Sequence, residues 1–78
     1  MSGPAPGQLR PLLVGAPREH NELQARAQQS LSTVAEDQNV ITYSHDGTEG
    51  EWEKTPAGAR AAGWHAYRWR TARHTTRA

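Results

Sequence analysis

The segment from Trp64 to Ala78 interleaves aromatic rings with cations and contains no carboxylate. Aromatic faces stack on nucleobases, and guanidinium groups bind phosphates and add cation–π attraction. Trp64, Tyr67, Arg68, Trp69, Arg70, Arg73, His74 and Arg77 are therefore the candidate residues for holding a partner or a nucleic acid. If the chain is extended here, His65, Tyr67, Trp69 and Thr71 share one face, and Trp64, Ala66, Arg68 and Arg70 share the other. Tyr67 and Trp69 would then form a stacking platform for a single strand, with Arg60, Arg73, His74 and Arg77 following its backbone. Such binding would be weak and strongly salt-dependent. No helix-turn-helix, zinc-finger or RNP pattern accompanies the segment.

The same residues have an internal use. Every Asp and Glu lies upstream, between Glu19 and Glu53. Glu49, Glu51 and Glu53 alternate with Trp52, so an antiparallel strand here can face its glutamates to Arg68 and Arg70 and its Trp52 to Tyr67 or Trp69. Opposite-charge and aromatic cross-strand pairs each contribute about 0.2–1 kcal/mol. This arrangement makes Trp52, Tyr67 and Trp69 core and removes much of the basic patch.

Other chemistry finds less support. Ser44, His45 and Asp46 supply the residue types of a hydrolytic triad, but adjacent residues cannot reach its geometry. His20, His45, His65 and His74 lack ligand spacing to one another, and His20 and Glu22 lie on different faces of a helix. No Gly-rich phosphate loop is present, since the stretch from Ala57 to Gly63 has neither the lysine nor the spacing. No catalytic residue, metal or cofactor is assigned. The chain reads as not an enzyme, and no small-molecule substrate is expected.

Those residues depend on a few elements. Residues 1–16 carry Pro4, Pro6 and Pro11 with Gly3, Gly7 and Gly15, a density of breakers that predicts a flexible arm, within which Leu9 to Val14 is apolar enough to dock, over the domain's own core or as a short linear motif. Pro17 suits a first helical position, and Glu19 and Glu22 favour the helix N-terminus. Leu23, Ala27, Leu31, Val34 and Ala35 keep helical spacing, so one helix is predicted over 17–36, with Gln24, Arg26, Gln28, Gln29 and Ser32 on its polar side. Asn39 to Ser44 is β-branched and aromatic, Asp46-Gly47 signals a turn, and Glu51 to Thr55 alternates up to Pro56. Trp64 to Thr71 fits a strand better than a helix, because a helix would put Arg68 on the apolar stripe.

The predicted fold is α+β. One N-terminal helix packs on a small three-stranded antiparallel sheet from 39–44, 50–55 and 64–71, within a domain spanning 17–72. A flexible arm precedes it and a basic tail, 73–78, follows. The aliphatic core is thin: Leu9, Leu12, Leu13, Val14, Leu23, Leu31, Val34, Val40 and Ile41, with no Phe and no Cys to staple it. A chain of 78 residues is short enough to be marginal alone. The run Leu12-Leu13-Val14 falls far short of the roughly 18 residues of a membrane span and cannot serve as a signal-peptide core. No membrane contact is expected, and the setting is read as cytoplasmic. The Ala, Arg, Gly, Thr and Pro bias fits a GC-rich bacterial or phage coding sequence.

Together these features predict a small regulatory subunit, adaptor or inhibitor that works through a protein partner or a homodimer. The first alternative is single-stranded nucleic-acid binding by the aromatic and arginine-rich C-terminal segment. The second is a largely disordered chain that folds on binding.

Overall fold

Asp46 and Gly47 both take positive φ, 54° and 79°. This is the backbone of a two-residue hairpin turn whose twist matches its flanking strands. It joins β3, Val40–His45, to β4, Thr48–Ala59. The computed structural model describes residues 6–59 and 63–74. The remaining elements are β1, Gln8–Val14, a 3-10 turn at Arg18–His20, α1, Asn21–Ser30, β2, Val34–Ala35, and β5, Trp64–His74.

The strands make one five-stranded mixed half-barrel in the order β2-β1-β5-β4-β3. This corrects the expectation of a three-stranded antiparallel sheet beside a flexible arm. The predicted hairpin and third strand exist as β3, β4 and β5, paired antiparallel. The addition comes from the presumed arm: β1 lies parallel to β5, with Leu12 opposite Ala66 and Leu13 opposite Tyr67. Breaker composition misleads here because Pro11 sits where its missing N–H costs no ladder bond. The Pro11 carbonyl accepts from Gln28 Nε2 at 2.9 Å, and the Leu13 N–H donates to Gln28 Oε1 at 2.8 Å. The backbone groups of residues 11 and 13 thus point away from β5, and the Gln28 amide occupies the edge there.

The helix is also shorter than 17–36. Pro17 is extended, residues 18–20 form the 3-10 turn, and Leu31 leaves the helix at φ −94°, ψ 129°. Ser32, Thr33 and Val34 are poor helix formers. Val34 and Ala35 instead pair with Leu9 and Gln8 as β2. Gln24 and Gln28, assigned above to the polar side of the helix, turn toward the strands. Gln24 Oε1 accepts from the Trp52 indole N–H at 3.0 Å and from the Ala16 N–H at 3.1 Å.

The core lies between α1 and the inner face of the half-barrel. Leu13, Leu23, Ala27, Val34, Ile41, Trp52 and Tyr67 are buried, and Leu9, Leu31, Tyr43 and Trp69 pack against them. Fully burying a large apolar side chain contributes about 1.5–3 kcal/mol, so Trp52 and Tyr67 carry much of the stability that the few aliphatics cannot. No helix among the described residues is long and apolar enough to cross a membrane.

Candidate binding face

Alternation along the strands divides the aromatic and arginine-rich segment between two environments. Tyr67 is fully buried, and its hydroxyl donates to the Gln38 carbonyl at 2.6 Å. Burial raises its pKa above the usual tyrosine value. Trp69, on the same inner face, meets Trp52 edge-on, with ring centroids 5.2 Å apart, and stacks on His20 at 5.1 Å. Tyr67 is closed to a nucleobase and Trp69 is partly buried against the core, so the two do not form the predicted two-ring stacking platform.

Trp64, Arg68, Arg70 and Arg73 occupy the outer face, which no helix among the described residues covers. Trp64 is half-buried with the Arg10 guanidinium carbon 5.6 Å from its ring centroid, and Leu12 and Val14 of β1 share that side. His74 is exposed and stands opposite Thr48. Arg77 lies outside the described residues.

On the neighbouring strand the outer positions are Glu49, Glu51 and Glu53. The expected glutamate–arginine pairing forms only in part. Glu53 stands opposite Arg68, but the register shifts between Glu51 and Trp52, which sets Thr71 opposite Glu51 and leaves Arg70 as the extra residue of a bulge. Bulges re-aim side chains and loosen the local ladder. The ion pairs among the described residues are Arg26–Glu22 at 2.9 Å and Arg73–Glu49 at 3.7 Å. Arg68 and Arg70 are exposed and belong to neither.

Beside this bulge β4 makes a second irregularity between Lys54 and Ala59. It is tied down by the Thr55 hydroxyl donating to the Ala66 carbonyl at 3.1 Å and by a 2.8 Å contact between His65 Nε2 and the Thr55 carbonyl. Lys54 Nζ donates to the Glu36 carbonyl and is thereby drawn to the far loop. Between the two irregularities opens a cleft of about 300 Å³ lined by Glu53, Lys54, Thr55, Pro56, Arg68, Trp69 and Arg70. Its lining carries both signs of charge, Glu53 beside Arg68 and Arg70. It lacks a nucleophile paired with a base. Ser44, His45 and Asp46 do not converge: Ser44 and His45 point to opposite faces of β3, and Asp46 is in the turn. Among the described residues no three His, Asp or Glu side chains gather as metal ligands.

Sequence reasoning missed the contribution of Arg10, Leu12 and Val14 to this face. The alternation of Leu9, Pro11 and Leu13 with those residues was the available signal, and it was masked by the glycines and prolines around it. The chain matches no protein-family model, no curated protein and no solved structure.

Proposed function

We propose that the chain is a non-enzymatic protein-binding module, an adaptor, inhibitor or regulatory subunit, that takes its partner on the outer face of β4 and β5. One observation carries this reading. Columns of opposite charge, Glu49-Glu51-Glu53 and Arg68-Arg70-Arg73, run side by side on a face that no described helix covers, and only the Arg73–Glu49 pair joins them among the described residues. Charge left unmatched within a chain steers association and fixes register with a partner of complementary pattern. Arginine is also enriched at interfaces. Trp64 with Leu12 and Val14 supplies an apolar anchor at one side of the charged columns.

Nucleic acid is less well served. Tyr67 and Trp69 are taken up by the core, and the carboxylate column beside the arginines repels phosphates. A cytoplasmic setting is part of the same proposal.

The test is affinity capture with the native chain and with an Arg68→Glu, Arg70→Glu variant, followed by chemical cross-linking to locate the contact. A protein partner cross-linked around β4 and β5, lost on charge reversal while the amide spectrum stays dispersed, supports the module. A labelled single strand that binds with a steep salt slope, together with no partner contact on this face, would replace it with the nucleic-acid reading.

A further inference from the structure

The two edges of the sheet are treated differently. Beyond its short pairing with β2, the β1 edge is filled by the Gln28 amide, which satisfies both Pro11 and Leu13. The β3 edge has no comparable cover among the described residues. Asp46-Gly47 makes His45 and Thr48 the closing hydrogen-bonded pair of the hairpin. Alternation then turns the backbone groups of Tyr43, Ile41 and Asn39 toward β4, in agreement with the Lys54 N–H donating to the Asn39 carbonyl at 2.8 Å. The N–H and C=O groups of Val40, Thr42 and Ser44 therefore face outward. One of them is engaged locally: Gln38 Nε2 donates to the Val40 carbonyl at 3.1 Å, in an exposed bond.

Edge strands are ordinarily protected by lysine, proline, a bulge or brevity. Val40–His45 has no Lys, Arg, Asp, Glu or Pro, and its register with β4 is unbroken over its length. We propose that β3 pairs antiparallel with β3 of a second copy across a two-fold axis at Thr42, joining two half-barrels into one continuous sheet. In that register Thr42 lies opposite Thr42 and Val40 opposite Ser44, so every outward N–H meets a carbonyl. The Ser44 N–H replaces Gln38 at the Val40 carbonyl. Thr–Thr is a favourable cross-strand pair, and on the inner face Ile41 comes beside Tyr43.

Self-pairing fits better than capture of a foreign strand. The register is self-complementary, and no side chain along it carries a charge that would meet its own image. The two glutamate columns would stand about 14 Å apart, three strand spacings, which exceeds the Debye length of about 8 Å at physiological salt. Because Gln28 fills the β1 edge, the pairing closes as an isologous dimer and does not propagate. This surface is separate from the outer face of β4 and β5, so either assignment can fail without the other.

Sedimentation equilibrium over a concentration series tests the dimer, with a monomer mass of 8.6 kDa. The native chain should reach twice that mass. The Val40, Thr42 and Ser44 amides should be protected from exchange at high concentration and lose protection on dilution, while those of Ile41 and Tyr43 stay protected in both. Thr42→Pro removes an outward N–H that β4 does not use. Thr42→Lys sets two ammonium groups against each other and stands in if the proline variant fails to fold. Either folded variant should weaken the dimer roughly tenfold or more, whereas Arg68→Glu with Arg70→Glu should not. A native chain that stays monomeric to its solubility limit, or a dimer undiminished in Thr42→Pro or in Thr42→Lys, overturns the proposal.

Discussion

Gly50 shows how tightly the inner face is packed. A Cβ there would lie 2.8 Å from Trp52 Cη2 and 2.9 Å from Leu23 Cδ2, closer than real contacts allow, and 3.0 Å from Trp69 Cζ3, tighter than most. Two of these atoms belong to rings locked against each other, so relief requires the strand to move. Gly50→Ala should therefore destabilise the fold by about 1–3 kcal/mol, the cost of overpacking, seen as a lower urea midpoint with an unchanged slope. Tyr67 gives a residue-scale pH dependence. Its pKa is raised in the fold by burial, so above the free-tyrosine value near 10 the unfolded chain loses its phenolic proton first. Stability is then fully present below that pH and falls as pH rises through the folded-state pKa. Tyr67→Phe should flatten this alkaline decline at the expense of about 0.5–1.5 kcal/mol at neutral pH, from the lost bond to Gln38. The sequence left Tyr67 and Trp69 open between core and binding surface, with the shortage of aliphatics the one signal toward core. The fate of Arg70 was not legible: its bulge reverses the alternation beyond it, so Thr71, expected beside Tyr67 and Trp69, instead stands opposite Glu51 on the outer face.

Among the elements, β3, the Asp46-Gly47 turn and β5 follow from local rules of propensity and turn chemistry. α1 and β1 do not, because tertiary contacts decide both. The helix ends at Ser30 once Val34 can serve the core better from a strand against Leu9. β1 exists because β5 needs a neighbour on its far side and Gln28 can satisfy the edge that Pro11 leaves. Gln28 is thus the residue that couples helix to strand, at a position that looks like ordinary helix surface. Gln28→Leu should strand the Pro11 carbonyl and the Leu13 N–H, costing about 1–3 kcal/mol in chemical denaturation. It should also open the β1 edge, so sedimentation is expected to show association beyond a dimer.

At the scale of the whole molecule, the parallel seam between β1 and β5 joins the two end regions of the described chain, and everything between them is folded inside that closure. Such a seam is invisible to short-range patterns, which is why a five-stranded sheet reads as three strands and an arm. It also makes the fold dependent on residues that composition marks as dispensable. Leu13 is the sharpest case: it is 5% exposed, sits opposite Tyr67 and belongs to the buried cluster. A loose arm would tolerate its truncation without effect. In the half-barrel, Leu13→Ala leaves a cavity beside Tyr67 and should cost about 2–5 kcal/mol, a large share of the 5–15 kcal/mol typical of small domains. The expected result is a far lower thermal midpoint, with narrowed amide dispersion and tryptophan indole signals moving toward free values. An unchanged midpoint would instead mean that the seam contributes nothing and that Trp64–His74 stands as a sheet edge.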